Sequence, residues 1–218
     1  NNFLKQVKEV CKKNNLILIF DECTTGFRLN LGGIHKKYNV NPDIAVFGKA
    51  LSNGYPLTAI IGKKNIMKFA QFSFISSTYW TDRLGFVAAL ETLKYMKKYK
   101  TWEKIKINGL NIKKNWLKLA NKHSLDIIVE GSDAIPSFRF KKDIHNLYKS
   151  FITQEMLKYN ILATNYVFVS IYHTNIKLKN YYKILDKILE KLKLHESNKF
   201  YLDKKKYTLK KQFFKRLN

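Results

Sequence analysis

Acidic residues are scarce in this sequence. Sixteen aspartates and glutamates stand against 41 lysines and arginines, a formal charge of +25 over 218 residues. Arginine is nearly missing as well, with only Arg28, Arg83, Arg139 and Arg216. Arginine forks are the preferred readers of phosphates and base edges, and the excess here is scattered lysine instead. Lysine among abundant asparagine and isoleucine is what an AT-rich coding bias produces, so nucleic acid is not expected as a partner. No apolar run approaches the roughly eighteen to twenty residues of a membrane span, and no membrane partner is expected. Two cysteines, Cys11 and Cys23, argue against a disulfide framework and for a reducing, cytoplasmic setting. The five histidines are spread without metal-ligand spacing, so no metal is expected. Neither a GxGxxG fingerprint nor a nucleophilic triad signature occurs.

What is present is ample apolar material, 45% hydrophobic and 14% aromatic residues. Residues 16–22, LILIFDE, form an apolar run closed by Asp21 and Glu22. Residues 42–62, PDIAVFGKALSNGYPLTAIIG, hold a second run ending in Gly48-Lys49, a turn and a third run. Unbroken runs this short predict strands at 16–21, 43–47 and 57–61, buried on both faces as in a parallel sheet. Ligands of such sheets lie beyond the carboxyl ends of the strands, where Asp21 and Lys49 both project. After four apolar residues, the Asp21 carboxylate is expected at the buried end of its strand, in need of a cationic partner.

Helical periodicity predicts a helix at 3–13, with Phe3, Val7, Val10 and Cys11 on one face, and a short one near 64–70. Asp82 is placed to cap a helix buried through Leu84, Val87, Ala88, Leu90 and Met96. A long helix at 102–122 reads as a link between domains. Beyond it, strands at 126–129, 136–140, 161–164 and 167–171 interleave with helices at 147–158 and 178–192, a small α+β pattern. Residues 1–100 are thus read as part of a large α/β domain, 101–124 as the linking helix, 125–195 as a small α+β domain and 196–218 as a basic tail. The chain opens at Asn1, inside a helix, and is expected to be the carboxyl-terminal part of a longer protein.

FDECTTGFR (20–28), the glycine pair 32–33, NPDIAVFGKALSNGYPLTAIIG (41–62) and SSTYWTDRLGFVAALETLKYM (76–96) together carry a resemblance. The chain resembles the class-III pyridoxal-phosphate aminotransferases, and within them the glutamate-1-semialdehyde aminomutase-like branch. SSTYWT and the closing FFKRLN look like a subgroup encoded among surface-polysaccharide and nucleotide-sugar genes. The resemblance implies a fold-type-I architecture: part of the large mixed or parallel-sheet cofactor domain plus the small carboxyl-terminal domain. It implies pyridoxal 5'-phosphate as cofactor, a small-molecule amino donor and carbonyl acceptor, and a homodimer with shared active sites.

By that resemblance Lys49 is the Schiff-base lysine and the catalytic residue, and Asp21 is the partner of the pyridine nitrogen. An amine must be partly neutral to attack an aldehyde, so Lys49 is expected to be desolvated by the strand behind it. Cys23 stands where the family usually has valine and is expected to pack against the cofactor as a small apolar group. Thr78, with Ser77, matches the residues that reach the cofactor phosphate of the neighbouring subunit. Arg28 reads as a brace in its turn, and Arg139 as an exposed strand arginine. The activity implied is amino-group transfer. An intramolecular 2,1-amino shift would use the same lysine and aspartate, and a polyanion-binding remnant without catalysis is the alternative of another class.

Overall fold

A computed structural model describes residues 2–79, 81–141, 145–203 and 207. The chain divides into two compact units, Asn1–Lys104 and Ile105–Asn218. Beyond residue 203, the basic tail lies outside the described residues except for Tyr207.

The first unit opens with α1 (Phe3–Lys13), whose last turn carries Lys12 and Lys13 beside the carbonyl end of the helix dipole. Asn14 caps it, its side-chain amide donating to Val10 O at 2.8 Å. The apolar face of α1 is largely uncovered, with Phe3 and Val10 exposed. Strands β1 (Ile19–Asp21), β2 (Ile44–Phe47) and β3 (Ala59–Gly62) form one sheet in the order β1-β2-β3. β1 and β2 run parallel with Asp21 opposite Val46, while β3 is antiparallel to β2 with Ala59 opposite Phe47. The sheet is therefore mixed. A connection as short as residues 48–58 reverses the chain and cannot hold a parallel crossover.

Full burial is reached on one face of β2 alone, where Ala45 and Phe47 are enclosed, while Ile44 and Val46 on its other face are half-buried. Ile19 on β1, and Ile60 and Ile61 on β3, are each more than half exposed. Beyond β3 come α2 (Lys64–Met67), a 3₁₀ turn at Lys68–Phe72, and α3 (Arg83–Tyr99). Asp82 caps α3 as expected, accepting from Leu84 N at 2.9 Å. The buried stripe is rotated from the expected one: Gly85, Ala89 and Met96 are enclosed, while Leu84, Val87 and Leu90 are exposed. Small residues let α3 lie close to the Lys49 loop, since a Cβ on Gly85 would come within 3.3 Å of the Tyr55 ring.

The second unit holds most of α4 (Thr101–Lys122), hairpin strands β4 (Ile127–Ser132) and β5 (Ile135–Phe140), α5 (His145–Leu157) and α6 (Asn175–Glu196). α4 packs as a core helix of this unit, not as a free link, because Ile112, Trp116 and Ala120 recur on one face and are almost fully buried. Trp116 Nε1 donates to the Tyr181 hydroxyl at 2.8 Å, joining α4 to α6 through the core. No strands form at 161–164 or 167–171. Instead residues 165–169 run along β5, with Phe138 N donating to Asn165 O and Val167 N to Pro136 O. Pro136 has no N–H to return, so the ladder stays a single bridge.

Candidate active site

The carboxyl ends of β1 and β2 carry the reactive groups. Pairing continues one residue past β1 through Glu22 N, which donates to Val46 O at 2.8 Å. Gly48 then extends the chain, and Lys49 turns it with φ +45°, a left-handed conformation unusual for a side-chain-bearing residue. The turn is closed by Leu51 N donating to Gly48 O and Asn53 N to Lys49 O. From this turn Lys49 Nζ donates to Thr24 Oγ1 at 2.6 Å. Asp21 Oδ1 accepts from Cys23 N at 3.0 Å. Hydrogen bonds from the Cys23 amide and thiol, and then the charge of Lys49, hold the Asp21 carboxyl below its ordinary range. The Cys23 thiol is pushed up by burial and then by Asp21, which keeps it protonated and unreactive. A Cβ placed on Gly48 would lie 3.7 Å from its Sγ, so Cys23 fills the space beside the lysine turn as a small apolar side chain does.

Asp21, Cys23 and Lys49 therefore converge, together with Thr24, which no pattern in the sequence singles out. Arg28 Nε donates to Thr24 O at 3.1 Å, the bracing role expected of it. Two expectations fail. Asp21 is exposed, and the buried carboxylate is its neighbour Glu22, only 1% accessible. Strand alternation sends successive side chains to opposite sides, which puts Glu22 inward wherever Asp21 points out. Lys49 is likewise exposed, so the described residues do not supply the desolvation expected there. Ser77 and Thr78 lie exposed in the irregular segment between Phe72 and Arg83, and no described hydrogen bond ties either to Lys49 or Asp21.

Glu22 anchors the turn from beneath. Its Oε1 accepts from His35 N at 3.0 Å and meets His35 Nδ1 at 3.0 Å, and its other oxygen accepts from the Thr25 hydroxyl. Burial alone would raise this carboxyl, but bonds from Thr25, His35 and Ile34 outweigh it and hold the group below its ordinary value. No spacing rule marks His35, thirteen residues away, as the partner.

A second tie lies after the lysine. The Tyr55 hydroxyl donates to Asp82, the cap of α3, and that bond pushes the phenol up to about 12. A separate cavity of about 510 Å3 beside the sheet is lined by Phe27, His35, Phe47, Leu51, Ala59 and Ile61 among others, but not by Asp21, Cys23, Thr24 or Lys49.

The family model of class-III aminotransferases matches residues 1–164. A 3-aminobutyryl-CoA aminotransferase of Cloacimonas acidaminovorans is 33% identical over 172 residues, 78% of this chain and 41% of that protein. A glutamate-1-semialdehyde 2,1-aminomutase of Methanococcus vannielii is 42% identical over 99 residues, 43% of this chain and 23% of that protein. Among solved structures, the PLP internal aldimine form of the FumI protein of Sphingopyxis sp. MTA144 superposes with a TM-score of 0.83. It shares 21% identity, with 92% of this chain and 49% of that one covered, a likeness of fold. The chain thus spans less than half the length of these relatives.

Proposed function

Because the chain belongs to the class-III aminotransferase family, we propose that it carries the lysine-bearing part of a pyridoxal-phosphate active site. The enzyme would transfer an amino group between a small-molecule amino donor and an aldehyde or keto acceptor. The observation that carries this reading is the pairing of an amine and an ionised carboxylate, Lys49 and Asp21, at the ends of adjacent parallel strands. That donor set fits the cofactor: the amine suits its aldehyde, and the anionic Asp21 suits a protonated ring nitrogen. When bound, pyridoxal phosphate supplies an electrophilic carbon for amines and a sink for electrons.

Lys49 is the group that holds the cofactor, and its amine is suited to take and return a proton during transfer. Thr24 orients that amine through its hydroxyl. Cys23 fills the floor beside Gly48 without adding a competing nucleophile. Ser77 and Thr78 supply hydroxyls suited to the cofactor phosphate of a neighbouring subunit in a homodimer. Residues 1–100 would then belong to the large cofactor domain and 125–195 to the small one, in a cytoplasmic enzyme of surface-polysaccharide or nucleotide-sugar synthesis.

A second reading, the intramolecular 2,1-amino shift, is favoured by the 42% identity over 99 residues to an aminomutase. Product analysis separates the two, since the shift needs no separate amino acceptor. The common reading is tested by borohydride reduction of the complete protein with pyridoxal phosphate, followed by peptide mapping. The label is expected on Lys49. A label on another lysine, or full activity of Lys49→Ala, overturns it.

A further inference from the structure

Beneath the reactive groups lies a buried polar cluster that the transfer chemistry does not use. Glu22 and His35 are 1% and 7% accessible, yet both are polar and sit directly behind the turn that carries Asp21, Cys23 and Thr24. Buried carboxylates are retained only where donors compensate them, and here three converge on one group. A carboxylate oxygen only accepts, so His35 presents its protonated Nδ1 to Oε1. The fit is close: a Cβ on Gly33 would fall 2.2 Å from His35 Nδ1 and 2.9 Å from Glu22 Oε1.

This cluster is coupled to the lysine along a short, continuous path. Thr25, whose hydroxyl Glu22 accepts, adjoins Thr24. Gly26 N donates to Glu22 O at 2.8 Å, closing the turn on the other side of Thr24. Thr24 Oγ1 is the partner of Lys49 Nζ at 2.6 Å. Among the described residues Thr24 Oγ1 is the one hydrogen-bond acceptor of the exposed Lys49 Nζ, so the orientation of that amine depends on it.

We propose that Glu22 and His35 are positioning residues for Lys49: the buried pair locks the 22–26 turn, and the turn presents the Thr24 hydroxyl that aims the lysine amine. The proposal rests on the reading of Lys49 as the cofactor lysine. In its terms Glu22 and Thr24 act in series. Removing either disorders the amine, and removing both does no further harm.

The test uses the complete protein with pyridoxal phosphate as probe. The rate of borohydride-trapped label at Lys49 is read by peptide mapping, and the unfolding midpoint is measured alongside. Thr24→Val is expected to slow labelling of Lys49 about tenfold, the scale of one hydrogen bond to a charged group, with the unfolding midpoint unchanged. Thr24→Ser restores the rate to within about twofold, because the acceptor is returned. Glu22→Gln slows labelling to the same extent as Thr24→Val, and the double variant is no slower than either single one, the signature of a shared path. Should Glu22→Gln fail to fold, Thr25→Val removes one donor to the carboxylate by an isosteric change. It is expected to slow labelling in the parent background and not in Thr24→Val. Additive losses in the double variants, or labelling of a folded Glu22→Gln or Thr25→Val at the parent rate, overturn the proposal. A parent protein that is not labelled at Lys49 refutes instead the functional reading on which the proposal rests.

Discussion

The two units bury very different amounts of themselves. In Ile105–Asn218, twenty of the described residues form one continuous apolar cluster, drawn from α4, β5, α5 and α6 together with Leu125, Val169, Leu202 and Tyr207. In Asn1–Lys104 the corresponding cluster is four residues, Ala45, Phe47, Leu51 and Ala89, with Phe27, Leu57 and Ala59 against it. The unit with the smaller core nevertheless carries Lys49 and Asp21, the proposed reactive groups. Lys49 and Asp21 stand exposed at strand ends, and Ile19, Ile60 and Ile61 of the same sheet are exposed beside them. The second unit encloses a continuous core of its own, although Leu162 and Ile176 stay exposed on it. The first leaves apolar surface whose burial would both stabilise it and lower the dielectric around the lysine.

The sharpest break between the units is chemical. Lys49→Ala is expected to abolish amino transfer, by roughly three orders of magnitude or more, and to leave the unfolding of the second unit unmoved. Steady-state assay with a thermal scan checks both halves of that statement. Asp21→Asn keeps the shape and removes the charge. Turnover is expected to fall about a hundredfold or more while the cofactor still binds, read as absorbance retained after desalting. Turnover within a few-fold of the parent would disprove the pairing.

The reverse experiment targets packing. Trp116→Ala empties the centre of the second core and strands the Tyr181 hydroxyl, at a cost of about 3–5 kcal/mol. Borohydride labelling of Lys49 is expected to persist under conditions where that unit has lost its near-ultraviolet signal. Equal loss of both would show the units to be one cooperative block.

Each unit also has a buried carboxylate held below its ordinary value, so acid should loosen both by the same route. Glu155 is 4% accessible; burial would raise it, and Lys158 and Lys191 overcome that. For Glu22 and Glu155 alike, the depressed folded value means stability that is present above pH 4.5 and lost as pH falls below it. Hydrogen exchange across that range should show protection failing around 22–26 and 152–158. Glu22→Gln should remove the pH dependence at the first segment alone. The smallest effect is expected at Leu84, exposed on α3, where Leu84→Ala should change stability by about 0.5 kcal/mol or less. A larger loss would show that something covers that face.

Much of this was readable from local chemistry. The apolar runs placed β1, β2 and β3 within a few residues, Asp82 announced the start of α3, and the 3.6-residue period found α4, α5 and α6. Lys49 and Asp21 were legible because a strand must end before a side chain can leave it, and both motifs end their strands. The misreadings share a cause. Leu84, Val87 and Leu90 looked like a buried stripe because periodicity gives a helix face but not what lies opposite. The segments at 161–171 have strand-like composition, yet Pro136 denies them a full ladder on β5.

What the sequence by itself determined is the order of the elements and the placement of Asp21 and Lys49 at the ends of neighbouring strands, because propensity, periodicity and strand ends are local properties. Which carboxylate turns inward, and with which partner, only the tertiary structure decided. Glu22 meets His35 across thirteen residues, and Thr24 meets Lys49 across twenty-five, because parallel pairing of β1 with β2 brings their following turns together. Contacts made by closing a chain that far apart depend on the packing of everything between, and no residue in either turn encodes them alone.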